Sequence, residues 1–419
     1  MTTRRVAIAL ALALLVGGAG LADATADLKA CKAEDLAGAV KATAELLEQK
    51  NMTLTYAVKD KVILALATAL DPRAEFVDKA RLDAIREAEK GIFWDAGIKV
   101  EFKQNWPMVE DVVKGGPASG ADVKAGDRIE KIGEFSTQGA THAKVFELLR
   151  AGDKAGITLS LRAKGRSEEP RKVEIKRKKE PAGALSAAEQ WPQNIAYIRL
   201  NGLFEGAGAQ LIDKIQAVAN AKTYGLILDL RGAGGPDLAA AADAAAFFTK
   251  PGAPLFKVED GSGREIRAYP AREAAALDIS LMVLVNGETR DAAETLAALL
   301  SRCKDVLLIG EATSGDDRIR DVVILPDGRQ LRVATARVAM AGGAGYRDTG
   351  VAPAIEIPAD LAAREAAAYV PEESEGFQSD LTEKEKDDKA LRARIGGDAV
   401  LKRAVDILMS LKALDMRGR

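Results

Sequence analysis

Gly225-Leu226-Ile227-Leu228-Asp229-Leu230-Arg231 and, farther along, Leu281-Met282-Val283-Leu284-Val285 are short, almost wholly apolar runs. Runs of that length and composition suit strands buried on both faces, as in a parallel sheet covered by helices. Working outward, apolar strands alternate with helical patterns: strand 195–200, helix 207–219, strand 225–230, helix 238–248, strand 281–285, helix 291–300 and strand 306–309. This alternation predicts an α/β core over residues 195–358. A hairpin at 322–333, turned by Pro326-Asp327-Gly328, belongs to the same region.

Upstream, a polar, Pro-containing connection at 179–194 separates the core from a different regime. Residues 91–178 carry short β-like runs at 97–102, 109–113, 127–132, 156–162 and 171–175, with one helix at 142–149. They form a small β-rich domain. Before it, residues 27–90 are helical in pattern, with one apolar stripe through Leu36, Val40, Ala44 and Leu47 and another through Val62, Ala65, Leu66 and Ala69. After the core, residues 359–419 make a helical extension in which 372–389 is a charged, solvated loop and 401–411 an amphipathic helix.

Residues 1–26 read as a secretory signal: two arginines, an apolar stretch from Val6 to Val16, then small residues ending in Ala24-Thr25-Ala26. Glycines at 17, 18 and 20 break the run before it reaches the length of a membrane span. The chain is therefore expected to be exported, to the periplasm or beyond, with no stable membrane anchor after signal removal.

Charge and composition exclude several functions. Lys+Arg 60 against Asp+Glu 62 leaves a net charge of −2, so no basic excess is available for nucleic acid. A hydrophobic share of 47% beside 29% charged residues is that of a folded globular chain. One histidine, His142, and two cysteines, Cys31 and Cys303, cannot complete a four-ligand zinc centre. No cofactor is expected. In an oxidising compartment Cys31 and Cys303 are free to pair or to remain two buried thiols.

Several segments, taken in order, carry a family likeness. They are Leu70-Asp71-Pro72, Gly116-Pro117-Ala118 with Val123-Lys124-Ala125-Gly126-Asp127, the run Gly225 to Arg231, Val283-Leu284-Val285-Asn286, and Ile309-Gly310-Glu311. Leu325-Pro326-Asp327-Gly328, Ala334-Thr335-Ala336-Arg337, Gly350-Val351-Ala352-Pro353 and a final Asp398-x-x-Leu401-x-x-Ala404 follow. The series resembles the carboxyl-terminal processing peptidases, the tail-specific serine proteases of bacterial envelopes and chloroplasts. That resemblance implies an α/β multidomain fold: a helical N-terminal region, a PDZ domain at 91–178, and a core of the crotonase or Clp-protease type.

The resemblance also implies a serine nucleophile three residues before a helix-opening Glu, and a lysine base twenty-five residues after the serine. Glu294 matches the Glu, and the two catalytic positions fall on Asp291 and Asp316. The family glutamine falls on Arg320. Two carboxylates supply neither an attacking alcohol nor a neutral amine. They would share a proton, hold a cation together with Asp317, or pair with a base such as Arg320. Asp291 can also cap the helix that it opens. Thr289 and Ser314 are nearby hydroxyls for which the sequence offers no base. The oxyanion loop is altered as well: it reads Arg231-Gly232-Ala233-Gly234-Gly235-Pro236, so either the loop is one residue shorter with Gly234 and Gly235 kept, or Pro236, which has no N–H to give, replaces a glycine.

Peptide binding is the function left by this reading. A PDZ groove adds a peptide as an extra strand and captures its terminal carboxylate on backbone amides. The family's carboxylate loop falls on Phe93, Trp94, Asp95, Ala96, Gly97 and Ile98, where Trp94 and Asp95 replace small residues and Asp95 opposes a carboxylate. His142 takes the first position of the groove helix and Phe146 faces the terminal side-chain pocket. The expectation is an exported pseudoprotease that binds polypeptide C-termini or a partner protein, with self-association open. An endopeptidase using an acid dyad or a cation, and a purely structural envelope protein, are the alternatives.

Overall fold

The computed structural model describes residues 63–69, 71–103, 106–140, 142–150, 155–163, 169–220, 222–273, 277, 279–343, 345–368 and, with further gaps, 382–414. The export signal, the helical stripe at 36–47, Cys31 and most of the charged segment 372–389 lie outside these residues. The chain divides into two compact units, the first holding residues up to 82 with 260–264 and 318–337, the second holding the remainder.

In the first unit, strands Arg318–Ile324 and Gln330–Met340 form the hairpin expected at 322–333. Gly328 supplies the positive φ of 83° that the turn needs, and its amide donates to Leu325 O. A short strand, Glu75–Val77, pairs antiparallel with residues 330–332. The helical reading of 27–90 misses this strand because its partner lies some 250 residues away. Asp71 anchors the unit. Its carboxylate takes Arg320 Nε at 2.8 Å and Nη2 at 2.6 Å, and the Ala334 amide at 2.9 Å. Burial alone would raise the Asp71 carboxyl, but the Arg320 hydrogen bond and charge outweigh it and hold the group low.

The second unit begins with the β-rich domain. Its antiparallel sheet runs Ile98–Lys103, Trp106–Val112, Arg128–Ile132, Gly156–Arg162, Arg171–Lys176, with Phe135–Ser136 beside Arg128–Ile132. Helix His142–Arg150 lays Val145 and Leu149 on a core that includes Ile129, Leu159, Leu161 and Ile175. Strand Ile92–Asp95 pairs with Lys178–Pro181, closing the start of the domain onto its end.

The segment 179–194, expected as a connection, is mostly strand. Leu185–Trp191 pairs antiparallel with Ile195–Leu200 and adds an edge to the core sheet. Its small and polar residues carry no β periodicity, and backbone pairing at an edge needs none. From there the sheet is parallel through Ile195–Leu200, Gly225–Asp229, Ser280–Val285, Val306–Gly310 and Ile355–Glu356. Strand residues alternate between two faces. Ile195, Tyr197, Ile227, Met282, Leu284 and Ile309 share a core with Leu401, Ala404, Val405 and Leu408 of the C-terminal helix Ala399–Ala413. Gly225 permits this approach, since a Cβ there would lie 2.4 Å from Leu408 Cδ2.

A buried polar network fastens that helix to the sheet. Asp229, at the end of its strand, accepts from Tyr197 Oη at 3.0 Å and from Arg231 Nη2 at 2.7 Å. The same guanidinium reaches Asp398 at 2.8 and 3.0 Å, and Asp398 caps the C-terminal helix through the Leu401 amide at 2.9 Å. Burial opposes ionisation of both acids, yet the Arg231 charge overrides it and keeps both carboxyls below their usual range.

Arg231→Ala removes the shared cation from buried Asp229, which keeps Arg199 at 3.7 Å, and from half-buried Asp398, and is expected to cost about 3 kcal/mol at neutral pH, read as a lowered urea midpoint. Because both pKa values are depressed in the fold, the contribution is full above the unfolded carboxylate pKa of about 4 and fades as pH falls toward the folded values. The midpoints of parent and variant should therefore converge on acidification. A gap that stays constant down to about pH 2 contradicts the assignment.

Candidate functional site

Two loops and one helix start meet at the ends of strands Gly225–Asp229 and Ser280–Val285. Thr289 is fully buried; its hydroxyl donates to Leu230 O at 2.9 Å and accepts the Asn286 amide at 3.2 Å. Asn286 Oδ1 in turn takes the Gly232 amide at 3.0 Å. Thr289 is thus part of the tie between the loops, as befits a buried loop hydroxyl.

The next residues bring the chain against the glycine loop. The Arg290 amide donates to Ala233 O at 3.0 Å and the Ala292 amide to Gly235 O at 2.9 Å. Between them Asp291 adopts φ +54°, a left-handed conformation unusual for any residue with a side chain. Such strain persists where the surrounding structure imposes it, and it is a recurrent feature of catalytic turns. Arg290 holds the N-cap position of helix Asp291–Leu300 and makes no side-chain cap bond. The Asp291 carboxylate lies 3.6 Å from Arg290 Nε and against the Gly234 backbone, where a Cβ would come within 3.3 Å of Oδ2.

In a serine hydrolase, the amide after the nucleophile and amides of a facing loop point at the developing oxyanion. Here the amide after position 291 is bonded to the Gly235 carbonyl, and Pro236 offers no N–H. A carboxylate stands beside the loop as well.

Asp316 comes from the segment after strand Val306–Gly310, and Glu294 fixes that segment. The fully buried Glu294 carboxylate accepts from Ser314 Oγ at 2.9 Å, the Gly315 amide at 2.6 Å, the Asp316 amide at 3.1 Å and the Thr313 hydroxyl. Burial pushes the Glu294 carboxyl up, and the four donors only partly offset it. Gly315 is required at φ +76°, since a Cβ would meet the Gly350 amide nitrogen at 2.9 Å. Beyond Asp316, Asp317 is buried and bonded by Arg347 Nε at 2.7 Å. Thr295 and Tyr346 share a buried hydroxyl contact of 2.9 Å; burial, with the nearby charges of Glu294, Asp317 and Asp291, raises the Tyr346 phenol strongly.

The two candidate acids are thus held by one helix turn and its carboxylate. The cation option through Asp291, Asp316 and Asp317 gains no support: among the described residues no three acidic, histidine or cysteine side chains converge as metal ligands. Arg320, considered as a base for the acids, is engaged by Asp71. Ser314, exposed and unassigned from sequence, is the hydroxyl that reaches a carboxylate. Glu294, Ala292 and Arg347 have roles that only long-range contacts reveal, although the helix-opening position of Glu294 marked it.

In the β-rich domain, Phe93 meets Phe204 edge-on at 5.3 Å, and Trp94 lies under Arg177 and Lys179 at 5.6 and 5.1 Å. Asp95 Oδ1 accepts the Gly97 amide at 3.0 Å, Ala96 is buried in the core, and Ile98 packs at its margin. His142 and Phe146 lie on helix His142–Arg150, and their side chains fall outside the described residues.

Residues 194–357 match peptidase family S41. The carboxy-terminal processing protease CtpA of Bacillus subtilis (strain 168) is 28% identical over 290 residues, covering 68% of this chain and 60% of the relative. The chloroplastic C-terminal processing peptidase of Tetradesmus obliquus is 27% identical over 321 residues, covering 72% and 68%. Among solved structures, a photosystem II D1 C-terminal processing protease aligns with a TM-score of 0.47 and 25% identity over 72% of this chain and 82% of that one. The chain thus spans 60% to 68% of the length of these two curated relatives.

Glu294→Gln turns an acceptor-only group into one that presents N–H to N–H. The variant should expose the Gly315 and Asp316 amides, raising their hydrogen-exchange rates about tenfold or more, since an unmet buried donor costs about 1–3 kcal/mol. Unchanged exchange at both amides would remove Glu294 as the anchor.

Proposed function

Taking the peptidase family S41 domain at residues 194–357 as premise, we propose that this chain binds polypeptide without cutting it through serine and lysine. One observation carries the reading. At the turn where a nucleophile would stand, a left-handed Asp291 faces a glycine loop whose Gly235 carbonyl has taken the Ala292 amide. A carboxylate opposes attack on a carbonyl twice over, since it brings no transferable hydroxyl and repels the negative charge that must form. The loss of a single oxyanion donor alone slows a serine protease about 10²–10³-fold. Asp316 adds a second acid where neutral amine chemistry would be needed.

What such a chain retains is recognition. In this reading the β-rich domain binds as a PDZ module does, by adding an extended segment to its edge strand. The partner is a polypeptide terminus, a partner protein or a second copy of the chain. Export to the bacterial envelope belongs to the same reading and rests on the leader-like residues 1–26; among the described residues no helix is long and apolar enough to cross a membrane.

A second reading has one specific contact in its favour. Ser314 Oγ donates to Glu294 at 2.9 Å, and the raised Glu294 carboxyl is a stronger base than an ordinary one. Against it, that carboxylate already holds two amides and two hydroxyls, and taking a proton would loosen the loop that carries Ser314. The mature protein, incubated with unfolded polypeptides and with C-terminal peptides, is expected to give no turnover above a buffer control by mass spectrometry. Turnover abolished by Ser314→Ala, or by Asp291→Ala or Asp316→Ala, would establish an unconventional peptidase instead.

A further inference from the structure

We propose that the β-rich domain receives an extended segment lacking a free terminal carboxylate, because Asp95 already fills the anion position at the start of its edge strand. The proposal rests on the reading that this domain binds polypeptide, and it specifies which chemical form is bound.

Strand Ile98–Lys103 pairs with Trp106–Val112 on one side and is the edge of its sheet among the described residues. A peptide that adds antiparallel to such an edge runs its C-terminal end toward the start of the strand, beside Asp95-Ala96-Gly97. Ile98 and Val100 on the strand and Leu148 on helix His142–Arg150 are half-buried apolar residues against the same core. The amides at the strand start are where a terminal carboxylate would be captured.

That capture is pre-empted. Asp95 Oδ1 accepts the Gly97 amide at 3.0 Å, which consumes the donor and sets a negative charge in its place. The loop is not free to turn the donor outward. Gly97 sits at φ +69°, a Cβ there would meet Pro117 Cδ at 2.7 Å, and its carbonyl accepts the Val113 amide at 2.9 Å. Two cations belong to this corner: Arg150, whose guanidinium lies 5.8 Å from the Phe93 ring and which interacts electrostatically with Asp95, and Lys178, the cross-strand neighbour of Asp95. An arriving carboxylate meets a like charge and a spent amide, whereas an internal segment or a carboxamide end meets neither obstacle.

The test uses the full mature chain and a degenerate pool of short fluorescein-labelled peptides, made in free-acid and C-terminal carboxamide forms, read by anisotropy. The carboxamide pool should bind about fivefold or more tightly than the acid pool at low salt, and the gap should shrink as salt screens it. Asp95→Ala, which frees the Gly97 amide, should erase or reverse the preference. Asp95→Asn keeps the hydrogen-bond acceptor without the charge, and should narrow the gap with the loop intact. Tighter binding of the acid pool by the unsubstituted chain overturns the proposal while leaving the binding reading in place. A preference unmoved by Asp95→Asn and Asp95→Ala also overturns it. Saturation by neither pool, for the parent or either variant, defeats the binding reading itself and the proposal with it.

Discussion

One buried carboxylate sets the geometry on which the rest of the site depends. Glu294 sits in the first turn of helix Asp291–Leu300 and gathers two hydroxyls and two backbone amides from residues 313–316. A charge withdrawn from water is tolerated only when its lone pairs are met, and here the donors come from a segment with no regular structure of its own. The result is a loop held as firmly as a strand. It carries Asp316 on one side and, on the other, buried Asp317 paired with the exposed Arg347.

The opposite wall is built by a different device. Backbone amides of residues 290 and 292 are paired with carbonyls of the glycine loop, so the two loops are laced together by main chain. Main-chain lacing is indifferent to side-chain identity, which explains how the turn keeps a strained φ at position 291 with a carboxylate on it. The same lacing engages the Ala292 amide with the Gly235 carbonyl. Arg231 lies at the root of this loop and ties it to the sheet through Asp229 and to the C-terminal helix through Asp398. Loop position and helix docking therefore share one guanidinium.

Much of the fold was legible in the sequence. The runs at 225–231 and 281–285 are strands buried throughout, because a parallel sheet covered on both faces demands apolar residues at every position. The Pro-Asp-Gly turn fell where its φ requirement placed it. The misses have a common cause. Leu185–Trp191 and Glu75–Val77 belong to sheets only through partners elsewhere in the chain, and neither alternates clearly enough to announce itself. Arg320 suited the two acids by position along the family pattern, and the fold also brings it to Asp71, far away in sequence. Pairing of charges is a matter of distance in space.

The sequence by itself determined the α/β core, the β-rich domain and the family likeness, and it placed acids at positions 291 and 316 where the likeness calls for serine and lysine. These are properties of residue identity and periodicity, which a linear chain carries openly. The tertiary structure alone decided that the Ala292 amide turns to Gly235, that Glu294 gathers the donors of residues 313–316, and that Asp95 closes on Gly97. Each of these is a choice of hydrogen-bond partner, and a donor takes its partner from whatever the packed fold brings within about 3 Å.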